Sequence, residues 1–161
     1  MINQHGWCVI SENVNEFRFG GIIVSLNKYD IAYLEMAEAF AKTSVAERLK
    51  VGCVIIRDGQ PISLGINGTV SGWYTNKCED ENGVTCWFVK HAEVQALNKL
   101  RKSTESSAGA EMFVTHSPCK MCCLDIIDAG IKRVVYKYDY RDKSGLETLK
   151  QHGIIVEQFV E

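Results

Sequence analysis

Between residues 29 and 43, YDIAYLEMAEAFAKT, apolar side chains recur at Ile31, Leu34, Ala37, Phe40 and Ala41. Spacings of three and four place them on one stripe, so the segment predicts an amphipathic helix. The period then changes. KVGCVIIRDGQPISLGING, at 50–68, gives two β-rich runs on either side of Asp58-Gly59, the turn signal of a tight hairpin. HAEVQALNKLR, at 91–101, returns to the helical period: Val94, Leu97 and Leu100 share a side, and Ala92 and Ala96 are small enough for close packing. MFVTH at 112–116 predicts a short strand, and CKMCCLDIIDAG at 119–130 a helix stopped by Gly130. VVYKY at 134–138 predicts a strand, SGLETLKQHG at 144–153 a helix stopped by Gly153, and IIVEQFV at 154–160 a last strand. The order α-ββ-α-β-α-β-α-β is that of an α/β sheet covered by helices.

Two segments stand outside this alternation. Residues 1–28 form an N-terminal extension, in which FRFGGIIVSL predicts one further strand weakened by Gly20 and Gly21. Residues 67–90, NGTVSGWYTNKCEDENGVTCWFVK, form a connection long enough to suggest a function of its own. Residues 29–161 are expected to be one catalytic-size domain, without internal repeats.

Composition narrows the classes. The chain has 161 residues, 46% hydrophobic, which suits one domain with a full core. A formal net charge of −2 provides no broad basic surface for a polynucleotide, while a local basic patch for a small anionic ligand is allowed. No run of about 18 apolar residues predicts a membrane span, and MINQHGWCVISENV has no basic start followed by an apolar stretch. An odd count of 7 cysteines without such a leader predicts a reducing, cytoplasmic setting, where clustered thiols bind metal or do chemistry more often than they cross-link.

The sharpest cluster is SPCKMCC at 117–123. Cys119 and Cys122 lie three apart at a helix start, where the helix dipole favours thiolates. Taken alone, this spacing fits a redox pair or a structural zinc clamp equally well. His91 and Glu93 change the balance, since they occupy the first turn of another helix. If the two helix starts adjoin, His91, Cys119 and Cys122 give three zinc donors and leave a fourth position open, as in catalytic rather than structural sites. Glu93, not needed as a ligand, is then free to move a proton between water and a substrate nitrogen. H-x-E followed by P-C-x-x-C is the signature of zinc deaminases. The blander readings are a polar residue at a helix start for His91 and a first-turn charge for Glu93. Cys53 and Cys123 read as buried thiols, and Cys78 and Cys86 as loop residues that a second metal with Cys8 or His5 would require at irregular spacing.

Several segments in order resemble the cytidine deaminase-like superfamily, and within it the deoxycytidylate (dCMP) deaminases. They are RLKVGCVI at 48–55, GINGT at 65–69, KHAEVQAL at 90–97, SPCKMC at 117–122, GIKRVVY at 130–136 and YRDKSGLETLKQHGIIV at 140–156. The metal motifs belong to the whole superfamily, and the flanking segments point to dCMP. The resemblance implies a three-layer α/β/α fold around a mixed five-stranded sheet. It also implies hydrolysis of dCMP to dUMP and ammonia, one catalytic zinc ion, and commonly a homohexamer with no polynucleotide or membrane partner. Activation by dCTP and inhibition by dTTP, with Mg2+ at a site between subunits, belong to many members.

Carried onto this chain, the resemblance makes Arg48 a phosphate ligand, Asn67 a hydrogen-bond partner of the deoxyribose, and Tyr140 a further nucleotide contact. The backbone at Ala92 and Ser117 is expected at the base edge. Bland alternatives are a solvated charge for Arg48, a simple turn at Asn67-Gly68 and a sheet-edge cap for Tyr140. The chain departs from the usual GYNG-x-P at Ile66 and Val70. Trp73, Tyr74 and Trp87 could stack on a base or fill a subunit interface, with buried packing the commoner role of such rings. The enzyme rival is a tRNA adenosine deaminase, which shares HAE and PCxMC; the rival of another class is a non-catalytic zinc module that senses nucleotides.

Overall fold

The computed structural model describes residues 17–19, 22–24 and 26–160. The predicted N-terminal strand is two short ones: β1 (Phe17–Phe19) and β2 (Ile22–Val24) pair antiparallel with each other, apart from the main sheet. Gly20 and Gly21 lie outside the described residues.

The first helix, α1 (Lys28–Ala41), starts on a capping box: Asn27 Oδ1 accepts from the backbone of Tyr29 and Asp30, and the Asp30 carboxylate accepts from Asn27 N–H. The hairpin follows as β3 (Gly52–Arg57) and β4 (Gln60–Ile66). Both turn residues have positive φ, Asp58 at 50° and Gly59 at 74°, the turn geometry that matches strand twist. Beyond the long connection come α2 (Ala92–Leu100), β5 (Glu111–His116), α3 (Lys120–Asp128), β6 (Arg133–Tyr138), α4 (Ser144–Gln151) and β7 (Ile155–Gln158).

The five-stranded sheet has the order β4-β3-β5-β6-β7, antiparallel among its first three strands and parallel from β5 to β7. It is the mixed sheet expected. Alternation in β3 sends Val54 and Ile56 to one face, against Leu34 and Ala37 of α1, and Cys53 and Ile55 to the other, against α2, α3 and α4. Three layers result. On the α1 side, Arg133 forms a fork with Asp30 and also meets Glu111 and Glu157, tying α1 to β5, β6 and β7. Among the described residues no helix is long and apolar enough to cross a membrane.

The β5-α3-β6 crossover places the start of α3 at the carboxyl end of β5, where open α/β sheets leave a crevice. The start of α2 reaches the same edge. Gly65 explains how: a Cβ there would collide with the Ala92 carbonyl and approach Ala96 N to 2.6 Å, so only glycine lets α2 seat on β4.

Candidate active site

His91 and Cys119 are not the first helical residues but the N-caps of α2 and α3, and neither side chain makes a capping hydrogen bond. Positions that usually hold a Ser or Asp side chain turned onto the backbone here present a metal donor turned outward. Cys122, one turn into α3, completes the group. His91 Nδ1 lies 3.5 Å from Cys119 Sγ and 3.2 Å from Cys122 Sγ, and the sulfurs are 3.6 Å apart. A tetrahedral zinc with bonds of about 2.0–2.3 Å requires donors about 3.5–3.8 Å apart. Two of the observed edges fall in that range, and the His91–Cys122 edge, at 3.2 Å, is shorter than it. This is the only such donor cluster among the described residues.

The charge balance of the donor set points the same way. Hydrogen bonds from Cys122 and His91, working against burial, pull the Cys119 thiol down to about 3. Cys122 moves far upward, because it shares that hydrogen bond and is buried. Two adjoining thiols without a cation thus hold one negative charge between them, and a divalent ion is what allows both to ionise. Cys123 stands apart. Its Sγ faces the Gly145 carbonyl at 3.2 Å, and burial pushes its thiol up to about 12, as suits the packing role expected. Cys53 is fully buried, also as expected. Cys78 is buried in the long connection, while Cys8 and His5 lie outside the described residues.

Glu93 sits on the first turn of α2 with only 3% of its surface exposed, and burial raises its carboxyl above the usual range. A carboxyl so placed exchanges protons more readily near neutrality than an exposed one.

A cleft opens over these groups. His91, Ala92, Glu93, Ser117 and Cys119 line one end, and Arg48, Asn67 and Tyr140 also line it. With Cys122 joined to them through the donor cluster, the site residues assigned from sequence are in one place, though not always in the expected attitude. Ser117 N–H is already given to the Tyr138 carbonyl, and its hydroxyl accepts from Tyr140 N at 2.7 Å, so it shapes the turn that carries Tyr140. Ala92 is in the first turn of α2, where backbone N–H groups have no intrahelical partner.

The Asn67 amide is more heavily engaged than a sugar ligand or a plain turn would suggest. Its Oδ1 accepts from Val51 N at 2.9 Å and from Ser44 Oγ at 2.9 Å, while Nδ2 donates to the Leu49 carbonyl at 2.7 Å. It clasps the 44–51 segment that carries Arg48.

Sequence reasoning missed Glu79, Thr85 and His116. The long connection folds back so that the Glu79 carboxylate accepts from the backbone of Glu47 and Arg48, both at 3.2 Å. Thr85 Oγ1 accepts from the Arg48 guanidinium at 3.3 Å. No spacing rule links positions 31 and 37 residues apart, so these contacts had no signal. His116 did have one, since it adjoins the SPC motif, but the strand pattern of MFVTH absorbed it. The aromatic residues of the connection differ from expectation too. Trp73, Tyr74, Trp87 and Phe88 contact one another, yet Tyr74 is 81% and Trp87 87% exposed, and none of them lines the cleft.

The chain has known counterparts. It is 37% identical over 140 residues to ComE operon protein 2 of Bacillus subtilis (strain 168), covering 84% of this chain and 71% of that protein. It is 34% identical over 121 residues to the deoxycytidylate deaminase of Mycobacterium phage D29, covering 67% of this chain and 93% of that enzyme. The crystal structure of dCMP deaminase from the cyanophage S-TIM5, in complex with dCMP and dUMP, superimposes with a TM-score of 0.81 at 44% identity, covering 83% and 98% of the two chains. Residues 27–138 match the model of the cytidine and deoxycytidylate deaminase zinc-binding region. That span contains both helix starts and all the donors between them, and the chain belongs to the cytidine and deoxycytidylate deaminase family.

Proposed function

We propose that this chain hydrolyses dCMP to dUMP and ammonia. The observation that carries the reading is the buried carboxyl of Glu93 beside the His91, Cys119 and Cys122 donor set, in a cleft that Arg48 also lines. The similarity to dCMP deaminases of two phages supports the choice of nucleotide.

His91, Cys119 and Cys122 would hold one zinc ion. When bound, it supplies Lewis-acid activation of water at neutral pH. Glu93 takes a proton from the attacking water and delivers it to N3 as the oxygen adds to C4 of the pyrimidine. It then carries the second proton to the exocyclic nitrogen, so that the C4–N bond breaks, ammonia leaves and the C4 carbonyl of dUMP forms. Burial suits Glu93 to both directions of transfer. The Arg48 guanidinium binds the 5′-phosphate, with Thr85 and Glu79 fixing its position from the long connection. Asn67 holds the Arg48 segment and turns its remaining amide hydrogen to the deoxyribose. Tyr140 closes the nucleotide side of the cleft, and the Ala92 N–H and the Ser117 carbonyl meet the base edge.

Deamination of dCMP, dC, CMP and dCTP measured side by side tests the reading. Turnover of dCMP above the others supports it, and preference for dC over dCMP contradicts the role of Arg48. Tight, salt-sensitive tRNA binding without dCMP turnover would replace the reading altogether. The same assay with dCTP, dTTP and Mg2+, together with the mass in solution, checks the regulation and the hexamer that the resemblance leads us to propose.

A further inference from the structure

His116 ends β5, the middle strand of the sheet, and lines the cleft. Its imidazole is fixed on two sides. Buried Thr115 accepts from Gly52 N–H at 3.2 Å through Oγ1, and the same oxygen lies 3.0 Å from His116 Nδ1. Because Thr115 Oγ1 already accepts from Gly52 N–H, we assign its one proton to Nδ1, the pairing that leaves the hydroxyl hydrogen used. The hydrogen of the imidazole is thereby placed on Nε2. On its other side the ring rests 5.2 Å from the ring of Tyr138, whose hydroxyl donates to Glu38 at 3.0 Å. Burial also lowers the pKa of His116, in keeping with a neutral ring.

Nε2–H has no partner among the described residues. The sheet order shows where it stands. Gly52, on the β3 side, follows Val51, which is bonded to Asn67; Ser117, on the β6 side, is bonded to Tyr140. His116 therefore occupies the cleft floor between Asn67 and Tyr140. The base end is taken by Glu93 and the metal donors, which leaves the ester-linked remainder of the nucleotide above this ring.

We infer that His116 is a specificity-determining residue whose Nε2–H donates to an oxygen of the sugar–phosphate portion of the substrate. The inference rests on the proposed turnover of dCMP. A donor fixed by its neighbours loses little freedom on binding, so it adds affinity that a mobile side chain would not.

The test compares two substitutions that split the imidazole between them. His116→Asn keeps an acceptor near Nδ1 for Thr115 and lacks the distal donor, while His116→Gln places an amide N–H near Nε2. Binding of dUMP is measured by calorimetry, alongside KM and kcat for dCMP and dC. His116→Asn is expected to weaken dUMP binding about tenfold and to raise KM similarly with kcat within about twofold, and His116→Gln to recover most of the loss. An equal loss for dC and dCMP assigns the acceptor to the sugar; a loss for dCMP alone assigns it to the phosphate. Unchanged dUMP binding in His116→Asn, or an equal loss in both variants, overturns the inference while wild-type turnover of dCMP leaves the functional reading standing. Wild-type protein that neither binds dUMP nor deaminates dCMP overturns both.

Discussion

His91 Nδ1 and Cys122 Sγ lie 3.2 Å apart although 31 residues separate them in the chain. Two helix starts at one sheet edge bring them together, and neither N-cap residue, His91 or Cys119, makes a side-chain capping hydrogen bond. Beside His91, Cys119 and Cys122 hold one negative charge between them until a cation lets both sulfurs ionise. Cys122→Ser replaces a soft thiolate by a poor donor. Loss of an outer partner of a ligand already costs about 10–100-fold in metal affinity, so loss of the ligand itself is expected to cost more than a hundredfold. Competition with a chromogenic chelator measures this, and wild-type affinity in the variant would remove Cys122 from the donor set.

The thiols should also differ in reactivity once the metal is stripped. Cys119, held down to about 3, is a thiolate at pH 6, whereas Cys123, pushed up to about 12, is not. Alkylation of the chelated protein at pH 6, read by peptide mass, is expected at Cys119 first and at Cys123 only after unfolding. Zinc added beforehand should protect Cys119; equal labelling with and without zinc would argue against coordination there.

Gly65 positions the α2 end of the site from a distance. Gly65→Ala drives a Cβ into the Ala92 carbonyl and toward Ala96 N, forcing α2 off the sheet. A loss of about 1–3 kcal/mol in unfolding free energy is expected, with weaker zinc binding because His91 moves with the helix. Unchanged stability and zinc affinity would show that α2 can shift freely, against the close packing described.

Asn67 separates a clasp from a pure ligand. Asn67→Ala strands the half-buried Val51 N–H that its amide satisfies and frees the exposed Leu49 carbonyl to water, at about 1 kcal/mol. Thermal unfolding should therefore fall together with dCMP affinity. A rise in KM at full stability would make Asn67 a substrate ligand alone.

Much of this was legible in the sequence, for reasons that differ by element. The alternation from 29 onward gave the strands and helices, because one period of apolar residues dictates one kind of buried face. Asp58-Gly59 gave the hairpin because few other pairs tolerate two positive φ values. His91, Cys119 and Cys122 were visible because candidate metal donors at helix starts have short local spacings, and Glu93 because it stands two residues past His91. What stayed hidden is non-local. The Glu79 carboxylate over Arg48, the clasp at Asn67 and the tautomer of His116 each depend on partners brought together only by the folded sheet. The N-terminal pattern was short and broken by glycines, and it became a separate pair of strands instead of one.

In the proposed deamination Glu93 moves the protons, and the metal donors alone are insufficient. Glu93→Gln keeps the volume and burial of the side chain and removes the exchangeable carboxyl. Zinc content, dUMP binding and dCMP turnover measured on the same preparation test this role. One zinc per chain, dUMP binding near wild type, and kcat reduced by about 10²–10⁴-fold are expected. Turnover within a fewfold of wild type at full zinc occupancy would contradict it.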